Sequence, residues 1–272
     1  MLTVANFNMH CGIDGWGRPF DFLGTCEMLD ADVLVLEETW TPERDVAGGG
    51  QAALIAATLG YQTFTCVMAE GRRIMPQPGA TEAWMPRPAS ADRNRALYFD
   101  CVRPLAPATL GMARYREAEA GHWGIAVLVR SELQVEGTRT LHLAPLARDR
   151  VRRAAVVVDI QLDGRPLSVI GTHMSHLLMG SHRHWAELRH LLRVQARPDA
   201  VWSGDMNLWG PPLRALFPGW RQAVKGPSWP AAKPHSQIDH IIFRGALRAV
   251  SGEVLPAAGS DHRPIRARIE PA

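Results

Sequence analysis

The chain has 272 residues, 30 Lys and Arg against 27 Asp and Glu, a formal charge of +3 and 46% hydrophobic residues. That balance supports a sizeable core and argues against a dedicated, strongly basic nucleic-acid-binding module. No run approaches the ~18 apolar residues of a membrane span, and Met1–Asn6 lacks the basic and apolar regions of a signal peptide.

The four cysteines, Cys11, Cys26, Cys66 and Cys101, are widely spaced and form no C-x-x-C pair, so neither a zinc site nor a disulfide framework is expected. The only lysines are Lys225 and Lys233. The Arg excess reads as a residue-usage bias, and the run from Arg148 to Arg153 as a solvated loop. The expectation is a cytoplasmic monomer made of one domain, residues 1–272. No Gly/Ser/Pro tract is long enough for a linker, and chemistry-bearing motifs run from end to end.

In chain order, apolar runs of strand length are Leu2–Phe7, Val33–Leu36, Thr63–Met68, Gly124–Val129, Ala154–Ile160, Leu167–Thr172, Ala200–Trp202, Ile238–Phe243 and Ile265–Ile269. Asp163-Gly164 suits a type I′ turn joining two antiparallel strands, which delivers His173 to a sheet edge. Helical periodicity appears in Gln51–Leu59 and in Ser181–Val194, where Trp185, Leu188, Leu191 and Leu192 recur. Arg72–Asn94, rich in Pro, Arg and Ala, reads as a long surface loop. Hairpins mixed with flanking helices predict an α/β sandwich rather than a doubly wound parallel fold.

Polar clusters sit at the ends of several of these runs. Leu2–Phe7 ends at Asn8, and Val33–Leu36 ends in Glu37-Glu38. Ser203-Gly204-Asp205-Met206-Asn207 follows Ala200–Trp202, Ser236-Gln237-Ile238-Asp239-His240 precedes Ile241–Phe243, and Ser260-Asp261-His262-Arg263-Pro264 closes the series. Carboxylates and carboxamides converging on one rim, with an imidazole, are what metal-assisted phosphoester hydrolysis needs. Glu38 is the first expected Mg²⁺ ligand, with Mn²⁺ an acceptable substitute, and Asn8 either shares the ion or orients Glu38. In extended geometry Asp205 and Asn207 point the same way. Asp205 is then placed to take a proton from an attacking water, and Asn207 to hold that water or a phosphate oxygen.

In their order these motifs resemble the endonuclease/exonuclease/phosphatase superfamily, with its deoxyribonuclease-I-like fold. The resemblance rests on Asn6-Phe7-Asn8, Leu36-Glu37-Glu38, Gly171-Thr172-His173-Met174, Gly204-Asp205-Met206-Asn207, Ile238-Asp239-His240-Ile241 and Ser260-Asp261-His262-Arg263-Pro264. One departure stands out: Glu37 occupies a place where the family usually has Gln, which is expected to alter local hydrogen bonding more than metal binding. The resemblance implies a four-layer α/β sandwich with two stacked mixed sheets flanked by helices. It also implies that Asp239 pairs with His262, that Asp261 is associated with the metal, and that His173 binds the scissile phosphate.

Thr172-His173 resembles the deoxyribonuclease, inositol-phosphatase and sphingomyelinase branches more than the bacterial abasic-site exonucleases. The function expected is a divalent-metal-dependent phosphodiesterase or nuclease acting by in-line attack of activated water. The alternatives are a small-molecule or lipid phosphoesterase and, more remotely, an inactive binding relative. The cluster His176, His182, His184 and His190 lacks the spacing of a zinc centre.

Overall fold

Residues 1–14, 19–74, 102–104, 118–147, 149, 151–176 and 179–272 are described by the computed structural model. Their strands form two mixed sheets. The first, seven-stranded, runs β12 (Leu247–Val254), β13 (Ile265–Pro271), β1 (Leu2–Asn8), β2 (Val33–Pro42), β5 (Ala118–Arg130), β3 (Tyr61–Ile74) and β4 (Val102–Pro104). The second, six-stranded, runs β10 (Arg221–Gln222), β11 (Asp239–Arg244), β9 (Ala200–Asp205), β8 (Arg165–His173), β7 (Ala154–Leu162) and β6 (Val135–His142). Each sheet contains one parallel pair, β1 with β2 and β8 with β9.

Period-two alternation sorts the apolar residues into layers. In β2, Val33 and Val35 enter the core between the sheets, while Leu34 and Leu36 face the helices outside the first sheet. In β7, Val156 and Val158 face inward, and Ala155 and Val157 outward. Both faces of these strands are covered, so their sequences read as continuous apolar runs. Helices α1 (Phe22–Leu29) and α2 (Gly50–Leu59) contribute Cys26, Leu29 and Ile55 to the outer layer of the first sheet. Helices α3 (His182–Gln195) and α4 (Gly210–Leu216) contribute Trp185, Leu188, Leu192 and Leu213 to that of the second. The result is the expected four-layer α/β sandwich. No helix among the described residues is long and apolar enough to cross a membrane.

The turn between β7 and β8 has both central residues left-handed, Asp163 at φ 51° and Gly164 at φ 76°, as a type I′ turn requires. Elsewhere the structure departs from expectation. β3 runs on to Ile74, so Arg72 and Arg73 belong to a strand; the rest of Arg72–Asn94 lies outside the described residues. The Arg148–Arg153 run is not simply a solvated loop. The Arg153 side chain is only 11% exposed and is bound to Asp149 at 2.9 Å.

Trp202 anchors the end of the second sheet that carries the polar clusters. Its indole Nε1 donates to Thr172 Oγ1 at 2.9 Å, tying β9 to β8, and its ring meets Phe217 at 4.8 Å, Trp220 at 5.6 Å and Trp185 at 6.0 Å. Trp202→Ala should therefore cost about 3–5 kcal/mol. Trp202→Phe, which loses chiefly one hydrogen bond and part of the ring, should cost roughly half as much. Urea denaturation followed by far-ultraviolet circular dichroism measures both.

Candidate active site

The two parallel pairs end side by side. In register, Asn8 of β1 lies opposite Glu37 of β2, His173 of β8 opposite Asp205 of β9, and Asp239 of β11 opposite the same Asp205. The close passage of β9 past β8 depends on Gly204, since any Cβ there would overlap the Thr172 carbonyl oxygen. That gives Gly-Asp at this strand end a steric reason as well as a chemical one.

A bulge in the pairing of β2 with β5 falls between Glu37 and Thr39 and leaves Glu38 left-handed at φ 52°. It gives two consecutive glutamates different surroundings. Glu37 is fully buried, whereas the Glu38 side chain is 16% exposed to the cleft. Asn8 links the sheets: its Nδ2 donates to Glu38 Oε1 at 3.1 Å and to Asp205 Oδ2 at 3.2 Å, while its Oδ1 accepts from the backbone N–H of His10 at 3.0 Å. These contacts set the Asn8 amide nitrogen against both the Glu38 and the Asp205 carboxylates.

Asp205 and Asn207 do come together, but not as neighbours on an extended strand. β9 ends at Asp205, and Asn207 is left-handed at φ 47°. The turn lets Asn207 N donate to Asp205 Oδ1 at 2.9 Å, and Asn207 Nδ2 donates to Met174 O at 3.0 Å. His173 Nε2 lies 3.5 Å from Asp205 Oδ2, 3.5 Å from Asn207 Nδ2 and 4.0 Å from Glu38 Oε1.

On the other side of Asp205, His262 Nδ1 is 2.9 Å from Asp239 Oδ2 and 3.1 Å from Oδ1, and its Nε2 is 3.8 Å from Asp205 Oδ2. Ser228 Oγ donates to Asp239 Oδ2 at 2.5 Å. Asp205, Asp239 and His262 place ligand-type atoms within 4.8 Å of one another. Asp261 lies toward His10, with Oδ1 4.0 Å from His10 Nδ1 and Oδ2 accepting from Trp229 Nε1 at 3.4 Å. Ser260 Oγ donates to Asn8 O at 2.7 Å and sits 3.3 Å from Asp261 Oδ1. All eight residues singled out in the sequence, Asn8, Glu38, His173, Asp205, Asn207, Asp239, Asp261 and His262, thus belong to one linked constellation.

Crowded acids in a buried site set the protonation states. Burial pushes Asp205 up, Asp239 and Glu38 add to that, and His262 and the Asn207 N–H oppose it; its pKa reaches about 7. Burial alone would lower His262, but Asp239, Asp261 and Asp205 outweigh it and hold the ring protonated well above its usual 6.5. His173 goes the other way: burial, then Arg153 and His262, keep it neutral. Its Nδ1 is buried without a partner among the described residues. A bare lone pair is easier to leave unpaired than an N–H, so the proton belongs on Nε2, facing Asp205.

Several supporting residues carry no motif. Arg153 Nη1 donates to His173 O at 3.3 Å and its guanidinium lies over Trp123, whose ring is 5.1 Å from that of His173. Trp229 and Ser228 reach Asp261 and Asp239 from a segment remote in sequence from the motifs at Asn8 and Glu38. A Ser-Trp pair upstream of the Asp239 strand is their one visible trace in the chain.

The sequence matches the profile of the Endonuclease/Exonuclease/phosphatase family over residues 5–262. The chain belongs to this family. Solved structures agree in fold with this family member. An endonuclease/exonuclease/phosphatase from Beutenbergia cavernae DSM 12333 aligns with 100% of the chain and 72% of its own, at 19% identity and a TM-score of 0.66. A family protein from Leptotrichia buccalis C-1013-b aligns over 99% and 100%, at 14% identity and 0.67. The human Nocturnin catalytic domain with bound sulfate anion aligns over 100% and 93%, at 14% identity and 0.65. No curated protein matches the chain by sequence. Members of the family are phosphoester hydrolases.

Glu37, the departure from the family's Gln, is accommodated as a neutral acid. Burial, then Asp239 and Asp205, raise its pKa well above 4.5 against the pull of Asn6 and His262. Asn6 Nδ2 donates to its Oε1 at 2.5 Å, and Oε2 has no partner among the described residues. A protonated Glu copies the shape of Gln. A folded-state pKa above the unfolded one means that stability is lost as pH rises above about 4.5, up to the folded pKa. Glu37→Gln should therefore leave the melting temperature little changed near pH 4.5 and raise it by several degrees at pH 8. Calorimetric scans of both proteins across that range are the check.

Proposed function

We propose that the chain is a divalent-cation-dependent phosphodiesterase that cuts its substrate by in-line attack of water. The observation that carries this reading is the meeting of Glu38, Asp205, Asp239 and Asp261 with two histidines of opposite character, one neutral and one charged, at a single sheet edge. The donor set fits a hard cation: it is dominated by carboxylate and carboxamide oxygens. An Asp205 pKa of about 7 also marks a site where negative charge exceeds its local compensation. Glu38 and Asp261 would hold the ion, Mg²⁺ or Mn²⁺, with Asn8 fixing the Glu38 carboxylate. When bound, the ion supplies charge stabilisation at the phosphoryl oxygens.

The chain's own residues do the rest. Asp205, oriented by the Asn207 N–H, accepts the proton of the attacking water, and the Asn207 amide holds that water beside it. His173 offers Nε2–H to a phosphate oxygen. His262, kept in place and kept charged by Asp239, offers a second N–H where negative charge builds up.

The reading is tested on a panel of plasmid DNA, single-stranded DNA, RNA, an aryl phosphodiester, inositol phosphates and sphingomyelin, with Mg²⁺ or EDTA. Phosphodiester cleavage should require the cation. Glu38→Gln should abolish it with circular dichroism unchanged. Asp205→Asn should lower kcat by about 10²–10⁴-fold with KM little moved. Full activity in EDTA would sink the cation requirement, and turnover of inositol phosphates or sphingomyelin alone would move the substrate to the small-molecule and lipid class.

The Asp239–His262 pair gives a separate test. Each single replacement, Asp239→Asn or His262→Ala, should cost most of the activity, and the double replacement little more than either. Asp239→Asn also removes the largest contribution raising the His262 pKa, so the imidazolium should be lost at lower pH. The alkaline limb of the rate profile and the His262 resonances in NMR titration should shift down together. Additive losses and an unmoved titration would reduce Asp239 to a structural cap.

A further inference from the structure

The cationic side chains outside the cleft are not evenly treated. Most described arginines are paired: Arg139 with Asp159 at 2.8 Å, Arg130 with Asp30 at 3.2 Å and Arg266 with Glu253 at 2.9 Å are examples. Helix α3 breaks this pattern. His182, Arg183, Arg189, His190 and Arg193 are all exposed, and among the described residues none of their side chains makes a hydrogen bond or ion pair.

At 3.6 residues per turn these five fall within an arc of about 120°, with only Ala186 between them. The helix's single acid, Glu187, borders the arc one turn after Arg183, and it accepts from Ala144 N at 2.9 Å rather than pairing with an arginine. The opposite side of α3, Trp185, Leu188 and Leu192, is buried on the second sheet, so the helix is held as a rigid rod with its cationic arc outward. A general preference for Arg over Lys accounts for the residue type but not for this placement. The three arginines of the arc have no ion-pair partner among the described residues, so a polyanion lying along the arc would be attracted to all three.

We infer that the outer face of α3 is a docking strip for the phosphate backbone of a nucleic-acid strand. It rests on the phosphodiesterase reading only for what happens to that strand in the cleft, since α3 is the element that follows β8 and His173. Guanidinium groups repeated along a fixed helix suit a regular array of phosphates, which they bind bidentately. An anionic membrane surface fits less well. A helix lying in a bilayer interface needs several large apolar groups beside its cationic ones, and here Trp185, Leu188 and Leu192 face the sheet while Val194 is largely exposed.

The test compares the unsubstituted protein with the triple variants Arg183→Glu/Arg189→Glu/Arg193→Glu and Arg183→Lys/Arg189→Lys/Arg193→Lys. Binding of a labelled single-stranded oligonucleotide is followed by anisotropy in EDTA across a salt series. The Glu triple should bind weakly, and its plot of log affinity against log salt should flatten by about 2, at about 0.7 for each phosphate that the strip no longer neutralises. The Lys triple should keep most of the salt dependence. Hydrolysis of the aryl phosphodiester, which is too small to reach α3, should be the same in all three. Unchanged affinity and slope in the Glu triple would overturn the strip, as would charge-dependent binding to phosphatidylserine vesicles with none to the oligonucleotide. Lack of aryl phosphodiester hydrolysis by the unsubstituted protein would instead overturn the catalytic reading, because the binding comparison in EDTA does not depend on turnover.

Discussion

Five carboxyl groups, Glu37, Glu38, Asp205, Asp239 and Asp261, are gathered at one end of the sandwich, and the rest of the architecture answers that constraint. Buried like charges a few ångströms apart cannot all stay ionised without compensation. The molecule meets the problem in different ways at different positions. Glu37 takes up a proton and behaves as an amide would. Asp239 is neutralised by a charged His262. Asp205 is left with a pKa of about 7, and Glu38, partly exposed, is held by the Asn8 amide. This division gives each acid a distinct chemical state, which a hydrolytic site needs and a structural cluster does not.

The backbone makes the division possible. Two parallel strand pairs, one per sheet, bring four strand ends to the same place, and small local breaks then aim the side chains. The bulge at Glu38 separates it from Glu37, and the left-handed turn at Asn207 folds its N–H back on Asp205. His10 and Cys11 are also left-handed, at φ 45° and 57°, and put the His10 N–H on Asn8. Non-glycine residues in this region are costly, of order 1–3 kcal/mol each, and persist where the surroundings over-determine them. Their concentration around one set of carboxylates is a structural mark of the site that is independent of residue type.

Much of this was legible in the sequence, and the parts that were not share physical causes. The central strands announced themselves because both faces are covered, as in β7, where Ala154–Ile160 is wholly buried. β6 and β12 did not, because they lie at sheet edges and bury few of their side chains, so no apolar run or clean alternation marks them, as in the exposed stretch Arg248–Glu253. α1 is only eight residues long and α4 carries Pro-Pro in its first turn, so neither shows sustained periodicity. Site residues at strand tips were readable because short motifs mark them. Arg153, Trp123, Ser228 and Trp229 were not, because they act across the fold on residues brought near by the topology, and an isolated Arg or Trp looks the same whether it packs, pairs or positions.

Arg153 illustrates how far apart sequence appearance and physical role can lie. In the chain it closes a charge-rich run that any reading by composition assigns to solvent. In the structure its guanidinium is nearly buried, held by Asp149, stacked on Trp123 and bonded to the carbonyl of His173. A fixed positive charge in that position favours the neutral imidazole. The neutral ring carries one N–H and one lone pair, so its single proton can be directed toward the carboxylates rather than shared between both nitrogens. The opposite choice at His262, where carboxylates outnumber cations, yields a ring with two N–H groups and a positive charge. Two histidines that look alike in the chain are thus set in opposite charge states by what surrounds them, so that one edge of the sheet carries both a neutral and a charged imidazole.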